Sequence, residues 1–122
     1  MTLAFAAHGR AEIGRVAVWI TPTANGFDAF QLALAERLVA ELPTLHHIAT
    51  RYLDMFVDRT RACGKRDEDW WLDEIDLRAC STDRPVIPLS FTLDGDDNGL
   101  WTVDVRLAHD SYWPIRFERL QQ

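Results

Sequence analysis

The sequence has only two cysteines and no long apolar run, and both deficits limit the class of protein. Cys63 and Cys80 belong to no C-x-x-C pair and to no spacing typical of zinc ligands, so we expect two reduced thiols in a reducing compartment. The short apolar stretch at the N-terminus has no basic residue before it and meets His8 too early for a signal peptide. No segment approaches the roughly twenty apolar residues that cross a bilayer. We therefore expect a cytoplasmic protein.

Positive charge is scarce as well. Thirteen Lys and Arg stand against nineteen Asp and Glu, which gives a formal net charge of -6. The resulting field repels phosphate backbones and anionic lipid headgroups, so we expect neither nucleic acid nor membrane as a partner. The same field attracts a basic protein and raises its association rate.

Motifs for nucleophilic catalysis and for phosphate binding are missing. No serine is flanked by the glycines of a nucleophile elbow, and the serines are Ser81, Ser90 and Ser111. Gly95 and Gly99 lie in an acidic turn, which would repel phosphate. We therefore expect a protein that is not an enzyme and that needs no cofactor.

The histidines do not have the spacing of a metal site. His46 and His47 are adjacent, so on a helix they point about 100° apart and cannot clamp one ion. His8 and His109 are isolated in the sequence. We expect no metal ligands among them.

The run from Asp94 to Gly99 resembles the first half of a calcium loop, with oxygen ligands at alternate positions and a glycine at the sixth. The twelfth position is Val105, where an EF-hand has a bidentate glutamate, and the flanking residues alternate as strands do. A hairpin turn explains the same residues, so we expect no calcium site.

Hydrophobic residues make up 48% of the chain and aromatic residues 11%, which suits one core in a single domain spanning residues 1–122. Alternation at Leu3 and Phe5, and a β-branched run from Ile13 to Ile20, predict two strands joined by a tight turn. Asn25 is the predicted cap of the first helix.

Apolar spacing predicts two helices, Phe27 to Leu42 and Thr44 to Arg61, separated by Pro43. In the second helix the predicted buried stripe is Leu45, Ile48, Ala49, Tyr52, Leu53 and Phe56.

A charged connection that includes Trp70 and Trp71 precedes alternation at residues 75–79, 87–93, 101–107 and 113–117, each typical of a strand. The order is β-β-α-α-β-β-β-β. We predict an α+β fold in which an antiparallel sheet of five or six strands is covered on one face by the helix pair.

The most unusual stretch surrounds two tryptophans with acids. Its predicted partner-binding residues are Asp67, Glu68, Asp69, Trp70, Trp71, Asp73 and Glu74, and Asp76 follows them. Trp is favoured at interface hot spots, and carboxylates pair with Lys and Arg of a partner. If the two tryptophans begin a strand they point to opposite sides, so we expect one to be structural and the other exposed.

The C-terminal half resembles the immunity proteins that accompany bacterial polymorphic and contact-dependent toxins. The resemblance covers residues 45–122 and rests on a helix ending in RYLDMF, a strand WWLDEIDLRA, a hairpin FTLDGDDNGLWTVDV and a last strand WPIRFERLQ. It implies a small acidic α+β domain that binds and blocks a basic toxin domain. Two alternatives stay open: a small-ligand or enzymatic domain with a Trp-lined cleft, and a structural adaptor or oligomer subunit.

Overall fold

A computed structural model describes residues 3–58, 70–93 and 99–121. The chain forms a hairpin of β1 (Arg10–Ile13) and β2 (Val16–Trp19), then a small two-stranded sheet of β3 (Pro22–Thr23) and β4 (Gly26–Phe27). Two helices follow, α1 (Ala29–Ala40) and α2 (Leu42–Phe56). The last four strands are β5 (Trp70–Asp76), β6 (Val86–Leu93), β7 (Gly99–Ala108) and β8 (Ser111–Gln121).

The main sheet has six strands in the order β1-β2-β5-β6-β7-β8. The predicted α+β class and the strand and helix order are confirmed, with β3 and β4 as an added small hairpin. The sheet is mixed, however, because β2 and β5 are parallel while the other neighbours are antiparallel. A helical crossover connects β2 to β5, and a crossover returns a strand in the same direction.

The first hairpin differs from its prediction. Leu3 and Phe5 lie outside the strands, and the turn falls at Gly14 with a positive φ of 58°. Phe5 instead packs against Phe27, with ring centres 5.7 Å apart. Its apolar side chain therefore reflects burial and not strand pairing.

Helix α1 begins one turn later than Asn25 would allow. Its N-cap is Asp28, whose carboxylate accepts a hydrogen bond of 2.9 Å from the backbone N–H of Gln31. The prediction of Asn25 was therefore wrong, because β4 extends through Gly26 and Phe27 and delays the first helical turn. Pro43 lies in the first turn of α2, where its missing N–H costs no helical hydrogen bond.

Alternating burial along the strands shows which face of the sheet the helices cover. The inward residues of β6 are Ile87, Leu89, Phe91 and Leu93, and all four are buried. Leu45, Ala49 and Leu53 of α2 are completely buried and belong to the same core. Phe56, predicted to end this stripe, is exposed because α2 ends there. Its ring meets Tyr52 edge-on and lies tilted against Phe117. The predicted end at Arg61 lies outside the described residues.

Within residues 3–58, 70–93 and 99–121, no helix is long and apolar enough to cross a membrane. The opposite face of the sheet carries half-buried and exposed side chains such as Thr92, Thr102 and Glu118. We call it the open face, since in the described part of the chain neither helix packs on it.

Candidate functional site

Strand β5 contains both tryptophans of the predicted site and places them on opposite faces of the sheet. It begins at Trp70, so the prediction that Trp70 and Trp71 lie in a charged connection was wrong. Trp70 is only 4% exposed, whereas Trp71 is 38% exposed. The expectation that one tryptophan is structural and the other accessible is confirmed, because successive strand residues point to opposite faces.

Trp70 is held by contacts on the helix side. Its indole N–H donates a hydrogen bond of 2.9 Å to Asp54 of α2, and its ring meets Trp101 edge-on at 5.6 Å. Buried indoles need a partner for this donor, and Asp54 supplies it. Trp70 therefore anchors β5 to α2 and to β7.

Trp71 lies on the open face beneath a cation. The guanidinium carbon of Arg15 is 4.6 Å from the ring centre of Trp71, and Arg15 also donates to Asp73 at 2.9 Å. Thr92 donates a second hydrogen bond to Asp73 at 2.8 Å. Asp73 is thus already engaged within the protein and has less charge to offer a partner.

A break in strand register separates Asp73 from Glu74. The pairing of β5 with β6 shifts between Leu72 and Glu74. Glu74 is half-buried and forms no salt bridge with a described residue, although the charge of Arg78 acts on it. The bulge re-aims side chains locally, as β-bulges commonly do.

Of the other acids in this stretch, three lie outside the described residues and one is paired within the protein. Asp67, Glu68 and Asp69 lie outside the described residues. Asp76 forms a salt bridge of 2.8 Å with Arg78, whose guanidinium stacks 4.6 Å from the ring of Trp19. Burial acts to raise the pKa of Asp76, but the hydrogen bonds and charge of Arg78 outweigh it and lower that pKa. Arg15 and Arg78 therefore offset much of the acidity that the sequence of β5 suggests.

A cleft of about 410 Å³ opens beside both tryptophans, between the start of α2 and the edge of β2 and β5. Its walls are mostly apolar and comprise Arg15, Val16, Leu42, Pro43, His46, Trp70, Trp71 and Leu72. His46 is fixed there by a hydrogen bond of 3.0 Å between its Nε2 and the carbonyl oxygen of Trp70, and by edge-on contact with Phe91. This volume and composition suit an apolar group of a ligand or of a partner.

Sequence reasoning missed part of the exposed surface. Leu120 is 43% exposed on β8, pairs with Leu100 of β7, and lies in the same cross-strand row as Trp71. Glu118 pairs with Thr102 in the next row. The alternation of β7 and β8 was recognised, and its outward positions were the signal that could have identified these residues.

The sequence predicts no metal site at the histidines and no calcium site at the acidic turn. Among the described residues, no group of three or more His, Cys, Asp and Glu is arranged to hold a metal ion. The acidic turn at Asp94 to Asn98, which resembles half of a calcium loop, lies outside the described residues, as does Cys63.

Comparisons with protein-family models, with curated proteins and with solved structures found no match.

Proposed function

We propose that this chain is a protein-binding domain that engages a basic partner at the start of strand β5, where the open face meets the apolar cleft. We propose further that the partner is a toxin or effector domain which it blocks. The observation that supports this best is Trp71, an accessible tryptophan that forms one wall of the apolar cleft and has Glu74 on the same strand. Trp is enriched among interface hot spots, which lie in well-packed pockets.

The proposal joins two kinds of contact with separate effects. An apolar side chain of the partner enters the cleft and is released slowly, which governs the dissociation rate. The net charge of -6 draws a basic partner towards the surface, which governs the association rate. Catalysis has no part in this function.

The test begins with recovery of the partner by affinity capture from the native organism. We expect Trp71→Ala to speed dissociation at least about tenfold in surface plasmon resonance, since hot-spot truncations commonly cost more than 1–2 kcal/mol. Met55→Ala is the matched control, because Met55 is 74% exposed at the far end of α2. Equal dissociation rates for both variants would show that the interface does not include Trp71.

A cell assay tests the blocking role. Expression of the recovered partner in a heterologous host should arrest growth, and co-expression of this chain should restore it. The Trp71→Ala variant, first shown to be folded, should restore growth less well. A partner that is harmless when expressed alone would contradict the toxin assignment while leaving protein binding intact.

The cleft also favours a second candidate, a small apolar ligand, because about 410 Å³ lies within the usual size of ligand sites. Native mass spectrometry of the purified protein distinguishes the two. A stoichiometric small-molecule adduct that is lost in Leu42→Trp, which fills the cleft, would favour the ligand over a protein partner.

A further inference from the structure

The open face extends the site at Trp71 across the sheet, and this inference rests on the proposed function. We propose that the open face receives an amphipathic helix of the basic partner. The apolar stripe of that helix lies on Trp71, Leu100 and Leu120, and its Lys or Arg side chains reach Glu74 and Glu118.

The first part of this surface is an apolar row. Trp71 pairs with Thr92 of β6, and Leu100 of β7 pairs with Leu120 of β8. Thr92 is adjacent to Leu100, since the preceding pair is Phe91 with Trp101. The row therefore crosses four strands, about 14 Å at the usual strand spacing.

The second part is a parallel row of carboxylates and hydroxyls, two residues further along the strands. Glu74 pairs with Ser90, Ser90 with Thr102, and Thr102 with Glu118. Glu118, like Glu74, forms no salt bridge with a described residue, although the charge of Arg116 acts on it. Acids in the following row are paired, with Asp76 bonded to Arg78 and Asp104 to Arg116.

The spacing of these two rows suits a helix. The rows lie about 7 Å apart along the strands, so one helix of about 10 Å diameter covers both. A span of about 14 Å corresponds to nearly ten helical residues. Such a helix would repeat, on the open face, the helix-on-sheet packing that already covers the other face.

A partner strand paired with the exposed edge of β8 fits the structure less well than a helix on the open face. Pro114 has no N–H to donate, and the β7–β8 register shifts next to it, between the Asp104–Arg116 and Val105–Pro114 pairs. Both features protect sheet edges from pairing with another strand. The charges of Glu74 and Glu118 select a partner helix with Lys or Arg along the flank of its apolar stripe.

The experiment uses synthetic peptides as probes, so it does not depend on the recovered partner. One probe is an amphipathic helix of about 18 residues with a Leu stripe flanked by Lys, and the matched probe has Glu in place of Lys. Amide chemical shifts of the whole labelled protein are followed as each peptide is added. We expect the Lys peptide to shift Trp71, Leu100, Glu118 and Leu120 saturably, and the Glu peptide to bind at least about tenfold more weakly.

Charge variants complete the test. The double variant Glu74→Lys with Glu118→Lys should weaken binding of the Lys peptide about tenfold or more. The control is Glu36→Lys with Asp83→Lys, which changes the net charge equally at exposed sites outside the two rows. It should have a much smaller effect on binding of the Lys peptide. Equal binding of both peptides, equal effects of both double variants, or shifts confined to the helix side would overturn the inference.

The two proposals fail in different ways. If Trp71→Ala speeds release of the recovered partner but Glu118→Lys and Leu120→Ala do not, the proposed function stands and the helix on the open face is wrong. If Trp71→Ala has no effect on the recovered partner, the proposed function itself fails.

Discussion

At the scale of single residues, the Tyr112 hydroxyl is a buried polar group whose pKa is raised by its surroundings. The Glu41 carboxylate and the Arg37 guanidinium lie near the buried hydroxyl of this tyrosine. The guanidinium carbon of Arg37 lies 5.4 Å from its ring centre. Burial, and then the Glu41 carboxylate, raise the pKa of Tyr112 to about 12, against the opposing charge of Arg37.

This shift predicts how stability depends on pH. The pKa of Tyr112 is higher in the folded chain than the ordinary 10.0, so the unfolded chain loses the proton first. Its contribution to stability is complete below pH 10.0 and falls as pH rises towards about 12. The free energy of unfolding of the wild type minus that of Tyr112→Phe, measured by urea titration, should fall over this window. A difference that is constant with pH would contradict the shift.

Cys80 supplies a second prediction about a single residue. The thiol is buried and donates a hydrogen bond of 2.7 Å to the carbonyl oxygen of Val86. Burial, with the charges of Asp76 and Asp104, raises the pKa of Cys80 to about 11. In a Cys63→Ser chain at pH 8, we expect a thiol reagent to react at least about tenfold more slowly when the protein is folded than in urea. Equal rates would mean that the thiol is accessible.

The residue scale also shows how far the sequence predicts the site. The opposite exposures of Trp70 and Trp71 followed from the two-residue period of a strand. The neutralisation of Asp73 did not, because Arg15 lies 58 positions from Asp73 in the chain and is brought near by the sheet. Local composition carries no information on such distant partners.

At the scale of elements, helix α2 has a buried stripe in which Leu45, Ala49 and Leu53 recur every fourth residue. Leu53→Ala should lower the free energy of unfolding by about 2–5 kcal/mol, as for other buried leucines. Met55→Ala, two positions away and exposed, should change it by less than about 0.5 kcal/mol. Chemical denaturation measures both, and similar losses would show that the stripe is not the core side of α2.

Element boundaries were predicted less well than element types. The helix pair and the strands β6, β7 and β8 were found from periodicity, because long amphipathic patterns are strong signals. The start of β5 was misplaced because the acids around Trp70 and Trp71 looked like a loop. Pairing with Leu93 and Thr92 of β6 overrides that local polarity.

At the scale of the whole molecule, the parallel pair β2–β5 is the feature that the sequence did not reveal. Alternation of apolar residues sets which face of a strand is buried, but it is the same for parallel and antiparallel neighbours. The insertion of β1 and β2 beside β5 depends on the path of the chain through α1 and α2. For this reason the antiparallel expectation holds from β5 to β8 and fails at one pair.

That pair has a consequence for the order of folding. The strands β5 to β8 are consecutive in the chain and form a meander. Among the described residues, the β1–β2 hairpin pairs with this meander at three positions, Ala17–Glu74, Val18–Ile75 and Trp19–Asp76. Bringing β2 beside β5 closes the long connection from Trp19 to Trp70, which is entropically costly. We therefore expect the meander to form first and the hairpin to dock last and to detach first.

Hydrogen exchange on the native protein can detect this. The amide of Leu77 donates to the carbonyl oxygen of Trp19 at 2.8 Å and reports docking, while the amide of Leu107 donates to that of Pro85 at 2.9 Å within the meander. Leu77 should exchange with the lower opening free energy. Equal values would mean that the sheet opens as one cooperative unit, and a lower value at Leu107 would contradict this order of opening. A lower value at Leu77 would mean that the N-terminal hairpin can leave while the surface carrying Trp71 and Glu118 persists.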